Sequence, residues 1–137
     1  MRRFPLLLTG ALLAACGSNP TTNNPPPSPY AVSATGTCTN NLTQDRLCTV
    51  TLKVTDKTTG DTVTSQRIIL QVSVPNSTLN PNQPITGTNG RATVVWTIFK
   101  ADQVPGHTEA MAFCAPGPGQ SFCRTSLSDP SSFTTTF

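Results

Sequence analysis

Apolar and polar residues alternate over several short stretches of this chain. In residues 48–55 every second residue is apolar, and threonine or lysine fills the positions between. The apolar members are Cys48, Val50, Leu52 and Val54. A period of two predicts a β-strand with one buried face. Residues 63–74 are a second extended run, whose shared face holds Ile68, Leu70, Val72 and Val74.

Four further runs are predicted as strands: residues 30–34, 91–100, 107–115 and 133–137. The strongest apolar run is 91–100, with Val94, Trp96 and Ile98 on one side and Val95 and Phe99 on the other. Trp96 is the predicted core anchor. Turn formers separate the runs at 57–61, at Asn89-Gly90 and at the Pro-Gly-Pro-Gly segment 116–119.

About seven short strands in residues 30–137 predict an all-β domain, an immunoglobulin-like antiparallel β-sandwich. A small Greek-key barrel is the alternative. The composition agrees, because 11% charged residues, 13 Pro, 9 Gly and abundant threonine favour strands and turns over helices.

The first 15 residues have the features of an export signal. Arg2 and Arg3 precede a twelve-residue, mostly apolar stretch that ends in small residues. Twelve residues are too short for a bilayer core of about 30 Å, which argues against a transmembrane anchor. Residues 1–15 are therefore predicted to be a signal peptide.

The run Leu13-Ala14-Ala15-Cys16 resembles the lipobox of bacterial lipoproteins. That resemblance implies that Cys16 is acylated, becomes the new N-terminus and anchors the protein to a membrane. An ordinary secretory signal with an incidental cysteine is the alternative. Because Gly17 is not Asp, the sorting pattern favours the outer membrane where the cell has one. Residues 16–29 are the predicted lipidated cysteine and flexible Pro/Asn/Thr linker.

The cysteine count supports this interpretation. The chain has 5 cysteines, and assigning Cys16 to lipid leaves four for an oxidising compartment. Four cysteines allow three pairings. We predict Cys38–Cys48 and Cys114–Cys123, since each pair brackets one loop; a metal site is the alternative to disulfides.

Charge and composition leave little room for other chemistry. Without Arg2 and Arg3, seven basic and six acidic residues remain, so no basic face for nucleic acid is expected. The only histidine, His107, follows Pro105-Gly106 and is interpreted as a solvated loop residue. Asp56 and Asp61 flank one turn; a Ca²⁺ site there is the alternative to solvated surface. We predict no enzyme activity, no cofactor and no metal.

Three segments resemble the bacterial immunoglobulin-like domain of invasin and intimin adhesins. They are 50–63, with a strand, Asp56 and a Gly-x-x-Val turn; 70–79, with a strand and a Ser-x-Leu step; and 88–94, with Asn-Gly-x-Ala-x-Val. The last is the most specific, because Asn-Gly is suited to the positive φ angles of a turn. The four cysteines and the single copy depart from that family, so its receptor-binding activity does not transfer.

These observations predict a non-enzymatic, lipid-anchored cell-envelope protein. Its domain, residues 30–137, would act in structure, adhesion or contact with a protein or cell-surface partner. The alternative is an exported ligand-binding or inhibitor-like domain that uses the disulfide-braced loop 116–122 for recognition.

Overall fold

The computed structural model describes residues 27–126 and 132–137 of the chain. The predicted signal peptide 1–15, Cys16 and the linker up to residue 26 lie outside the described residues, so those predictions stay predictions.

Seven strands form the domain. They are β1 (Tyr30–Asn40), β2 (Arg46–Asp56), β3 (Ile69–Val72), β4 (Thr78–Asn80), β5 (Arg91–Ile98), β6 (Thr108–Cys114) and β7 (Phe133–Thr136). A single 3₁₀ turn, Lys100–Asp102, follows β5. Within the described ranges, the structure has no helix with the length and hydropathy needed to cross a membrane.

The strands form two antiparallel sheets, in the orders β1-β2-β5-β4 and β3-β6-β7. In chain order these are the A-B-E-D and C-F-G sheets of constant-type immunoglobulin domains. The predicted immunoglobulin-like sandwich is therefore confirmed, and the barrel alternative is wrong because the strands form two separate sheets.

The core lies between the sheets and follows the alternation seen in the sequence. The central strands β2 and β5 supply most of it, since both have one face against the opposite sheet. The fully buried residues of these two strands are Cys48, Val50, Leu52, Val54, Val94, Trp96 and Ile98. The second sheet contributes Met111, and Ile68 precedes β3. Trp96 therefore lies in the centre of the core.

Three elements differ from the sequence prediction. Strand β1, predicted over residues 30–34, extends to Asn40. Strand β4 was not predicted, because three residues with one half-buried side chain, Leu79, give no periodic signal. The predicted run 63–74 contains only four strand residues, β3. Its earlier part is interrupted at Ser65, whose φ is +54°. It contacts its neighbours through an isolated bridge at Arg67 and separate backbone hydrogen bonds, such as that from the Val63 amide to the Val54 carbonyl at 3.0 Å, and not through a continuous ladder.

The Asn89-Gly90 turn is present, but only the glycine adopts a positive φ, +68°. Asn89 acts through its side chain instead, because its Oδ1 accepts a hydrogen bond from the Arg91 amide at 3.0 Å. A Cβ on Gly90 would lie 2.7 Å from the Cβ of Thr62. Glycine is therefore required there for space as well as for conformation.

Candidate functional site

Both predicted disulfides are present. Cys38 and Cys48 are directly opposite each other across β1 and β2, with their Cα atoms 4.0 Å apart. Cys114, at the end of β6, is joined to Cys123 across the Pro/Gly loop, at a Cα separation of 6.1 Å. Neither bond links the two sheets, unlike the disulfide of antibody domains.

The sandwich has two ends, which we name by the position of residues 27–29, the segment that precedes β1. The proximal end holds residues 27–29 and the loops 57–68, 81–90 and 115–126. The distal end holds the loops 41–45, 73–77 and 99–107, together with Phe137. Strand β1 runs from the proximal end to the distal end.

The segment before β1 is fastened to the proximal end. The Ser28 hydroxyl donates a hydrogen bond to the Ala115 carbonyl oxygen. Lys57 holds the neighbouring backbone, since its amide donates to the Pro29 carbonyl and its Nζ donates to the Ser28 carbonyl, each at 2.9 Å. Residues 28 and 29, which precede β1, are therefore fixed in position.

Loop 116–122 lies at this same end, and its first part is packed rather than projecting. Pro116 and Gly117 are buried, and the Pro116 carbonyl oxygen accepts a hydrogen bond from Gln66 Nε2 at 3.0 Å. A Cβ on Gly117 would lie 2.8 Å from Pro29 Cδ. Phe122, 55% exposed, is the large apolar side chain that this loop presents to solvent.

At the distal end, loop 41–45 is ordered by its own polar side chains. Asn41 Oδ1 accepts hydrogen bonds from the Thr43 hydroxyl and from the Asp45 amide, both at 2.8 Å. The Asp45 carboxylate shares that same Thr43 hydroxyl proton, at an oxygen–oxygen distance of 2.5 Å, and accepts from Asn41 Nδ2 at 3.1 Å. Gln44 adopts a φ of +64°. With its polar groups turned inward, the loop presents Leu42 to solvent at 104% relative exposure.

A second loop, 99–107, supports loop 41–45 from the side. The Lys100 amide donates to Asp45 Oδ1 at 3.0 Å, and Gln103 Nε2 donates to the Gln44 carbonyl at 2.9 Å. The hydrogen bond from the Thr43 hydroxyl, then that from the Lys100 amide and then that from Asn41, lowers the pKa of Asp45. The carboxylate is therefore ionised at neutral pH, the form that these donors favour.

A shallow groove of about 380 Å³ adjoins the two loops. Its lining consists of Asn40, Arg46, Lys100, Gln103, Pro105, Thr136 and Phe137. Arg46 is held by hydrogen bonds from its Nε to Thr135 Oγ1 at 3.2 Å and from its Nη1 to Asn40 Oδ1 at 3.3 Å. Its guanidinium carbon lies 6.0 Å from the centroid of the Phe137 ring, at the limit of a cation–π contact. The groove therefore offers polar contacts and two cations, and its lining includes no histidine, cysteine, aspartate or glutamate.

Two further apolar side chains lie at the distal end, in loop 99–107. Phe99 is 40% exposed and Val104 is 47% exposed. Together with Leu42 they make the distal end amphipathic, with apolar side chains beside the cationic groove. Sequence reasoning does not single out this surface, because it is assembled from loops about 55 residues apart in the chain.

Of the residues considered for chemistry from the sequence, Asp56 and Asp61 lie in one turn, where the Asp56 amide donates to the Asp61 carbonyl at 2.9 Å. His107 is exposed in loop 99–107. Asp56 Oδ1 accepts hydrogen bonds from the amides of Thr58 and Thr59 at 2.7 and 3.1 Å, so it caps its turn. In the part of the chain that the structure describes, no three His, Cys, Asp or Glu side chains are grouped to hold a metal.

Neither a family model, nor a curated protein, nor a solved structure matches this chain. The class of the domain, an immunoglobulin-like β-sandwich, follows from its strand order.

Proposed function

We propose that this chain is a non-enzymatic, lipid-anchored cell-envelope protein whose immunoglobulin-like domain presents its distal end for contact with another protein. The proposal includes the acylation of Cys16, export, and the relationship to the invasin and intimin type of domain that the three sequence segments suggest.

The attachment of residues 28 and 29 to the proximal end carries this proposal. Ser28 and Pro29 are fixed by Ala115 and Lys57, so a linker that leads to Cys16 leaves the domain at one end only. A Pro-rich linker of this length spans up to about 40 Å at about 3.1 Å per residue. The distal end then points away from the membrane that holds the lipid.

The distal end has the properties of a contact surface. Leu42 is fully exposed on a loop whose backbone is already held by side-chain hydrogen bonds. An ordered loop loses little conformational entropy when it binds, so its apolar side chain retains more of its burial energy. Exposed apolar patches with a polar rim mark interaction sites, and this end presents three exposed apolar side chains, Leu42, Phe99 and Val104.

Two measurements on cells test the two parts of the proposal. The intact mass of the membrane-extracted protein should correspond to cleavage before Cys16 plus acyl chains, and a Cys16→Ala variant should lose the added mass and the membrane association. A soluble, unacylated native product would overturn the anchoring.

For the contact surface, Leu42→Ser is compared with Ile85→Ser in an adhesion assay on the same cells. Ile85 is the matched control, since it is 63% exposed but lies at the proximal end. We expect Leu42→Ser to reduce adhesion and Ile85→Ser to leave it unchanged. Equal adhesion by both variants and the native protein would reject the distal surface.

The second candidate is ligand binding or inhibition by loop 116–122. The Cys114–Cys123 bond and the exposed Phe122 favour it, whereas the burial of Pro116 and Gly117 and the proximal position reduce the surface available. Loss of partner capture in Phe122→Ser, with capture retained in Leu42→Ser, would favour this candidate over the first.

A further inference from the structure

Strand β1 is a long edge strand. It pairs with β2 on one side, in a register that continues without interruption from Tyr30↔Asp56 to Asn40↔Arg46. No strand of the described residues pairs with its other side. With 11 residues, β1 is far longer than the other edge strands, β4, β3 and β7, which have 3, 4 and 4 residues.

Edge strands are normally protected against pairing with other chains. The usual means are charged residues, proline, bulges or very short strands. β3, β4 and β7 are short, but β1 has none of these protections. Its sequence, YAVSATGTCTN, contains no charged residue and no proline, and its continuous register leaves no bulge.

The edge is also held rigidly in place. The Cys38–Cys48 bond fastens β1 to its neighbour. Gly36 lets β1 approach the second sheet, since a Cβ there would lie 3.0 Å from Phe133 Cε2 and 2.6 Å from the Thr49 carbonyl oxygen. A strand fixed in this way keeps the backbone groups of its outer edge in position for pairing with another strand. It does not leave the sheet, which argues against domain swapping of β1.

We propose that a second copy of this chain pairs with the outer edge of β1, antiparallel, to form one continuous eight-stranded sheet. The two linkers then leave the dimer at opposite ends, so in the anchored protein the pair joins copies held on two facing membranes. A twofold dimer requires a self-complementary surface. Centring the pair on Thr35 provides one, because each solvent-facing residue then meets a small partner: Ala31 meets Thr39, and Ser33 meets Thr37. These pairs contain no like charges, and Ser and Thr side chains opposite each other can form hydrogen bonds.

This inference does not depend on lipid at Cys16, so it is tested on the chain from residue 16 onward carrying Cys16→Ala, exported to an oxidising compartment. Sedimentation velocity over a range of concentrations should show a monomer–dimer equilibrium. Hydrogen exchange of the β1 amides should slow as the dimer forms, while that of β4 and β7 stays unchanged.

The central variant is Thr35→Lys, which places two lysines opposite each other at the twofold axis. Its matched control is Thr93→Lys, since Thr93 lies in register with Thr35 through Thr51 and is also exposed, but on the central strand β5. We expect Thr35→Lys to weaken dimerisation by about tenfold or more, because like charges directly opposite are destabilising. Thr93→Lys should dimerise like the parent.

A protein that stays monomeric at every concentration would overturn the proposal. So would a dimer that resists Thr35→Lys, or one whose protected amides lie outside β1. Circular dichroism of both lysine variants shows whether each has kept its fold. If Thr35→Lys unfolds, Thr37→Lys is used in its place.

Discussion

The hydrogen bond of the buried tryptophan offers the sharpest test of how the core is held. Trp96 is fully buried, and its Nε1 donates to Ser77 Oγ at 2.8 Å. The Ser77 hydroxyl in turn donates to the Val74 carbonyl at 2.7 Å. Ser77→Ala removes the acceptor and leaves the indole N–H buried without a partner.

The expected cost follows from that unsatisfied donor. A buried polar group that loses its partner costs about 1–3 kcal/mol. For a domain near this size, a loss of this magnitude lowers Tm by about 5–15 °C. An exposed serine gives the comparison, since Ser33→Ala on β1 should change stability by less than about 0.5 kcal/mol.

A double-mutant cycle with Trp96→Phe isolates the bond. Phenylalanine fills most of the same space but has no N–H, so in that background Ser77→Ala should cost only the bond to Val74, about 0.5–1.5 kcal/mol. We therefore expect a coupling energy of about 1 kcal/mol or more. The assay is urea unfolding followed by circular dichroism, because Trp96 is the only tryptophan and its fluorescence is lost in the variant.

If Ser77→Ala costs the same in the native protein and in the Trp96→Phe background, the indole hydrogen bond contributes nothing measurable. The core would then be held by packing alone, and the reasoning from the buried donor would be refuted.

Three further outcomes are expected. Replacing both Cys38 and Cys48 with alanine should lower the free energy of unfolding by about 2.5–3 kcal/mol on the chain-entropy model, and equal urea midpoints with and without the bond would contradict this. Gly36→Ala should destabilise by about 1–3 kcal/mol through the close contact with the β2 backbone; thermal melts check it, and a neutral result would mean that β1 shifts freely. Because its hydrogen bonds lower the pKa of Asp45, that carboxylate stabilises the fold above its ordinary pKa of about 3.9, and this contribution is lost as the pH falls through the folded-state pKa. Asp45→Asn should therefore have a lower free energy of unfolding than the native protein at neutral pH, and this difference should become smaller in acid. A difference in unfolding free energy that does not change with pH, or an equal effect of Asp61→Asn, would contradict the expectation.

The parts of the fold that the sequence predicts are those governed by local alternation. Strands β2 and β5 lie in the middle of their sheet and bury one face completely, so their apolar residues recur with a period of two. The pairing of Cys38 with Cys48 could be predicted for the same reason, because both residues lie on the inward face of neighbouring strands. Strand β4 could not be predicted from the sequence, since three residues are too few to show a period of two.

The candidate site depends on contacts that local patterns do not encode. Loop 41–45 contains polar residues around Leu42, which is ordinary turn composition. Its order also depends on the Lys100 amide and on Gln103, which reach it from another loop. The free edge of β1 is likewise a property of sheet order, and it becomes visible only when the seven strands are placed in two sheets.

The direct run of β1 from one end of the domain to the other has a mechanical consequence. Residues 27–29 lead into this strand at Tyr30, and the loop that presents Leu42 follows it at Asn40. If the protein is anchored and makes contact as proposed, tension between those two points passes along a single covalent segment. That segment is already almost fully extended and lengthens by only about 2–3 Å before its bonds are strained. The Cys38–Cys48 bond shares the load with β2 near the distal end. The domain therefore transmits a pull as a stiff tether, while the remaining strands of the sandwich bear little of the force.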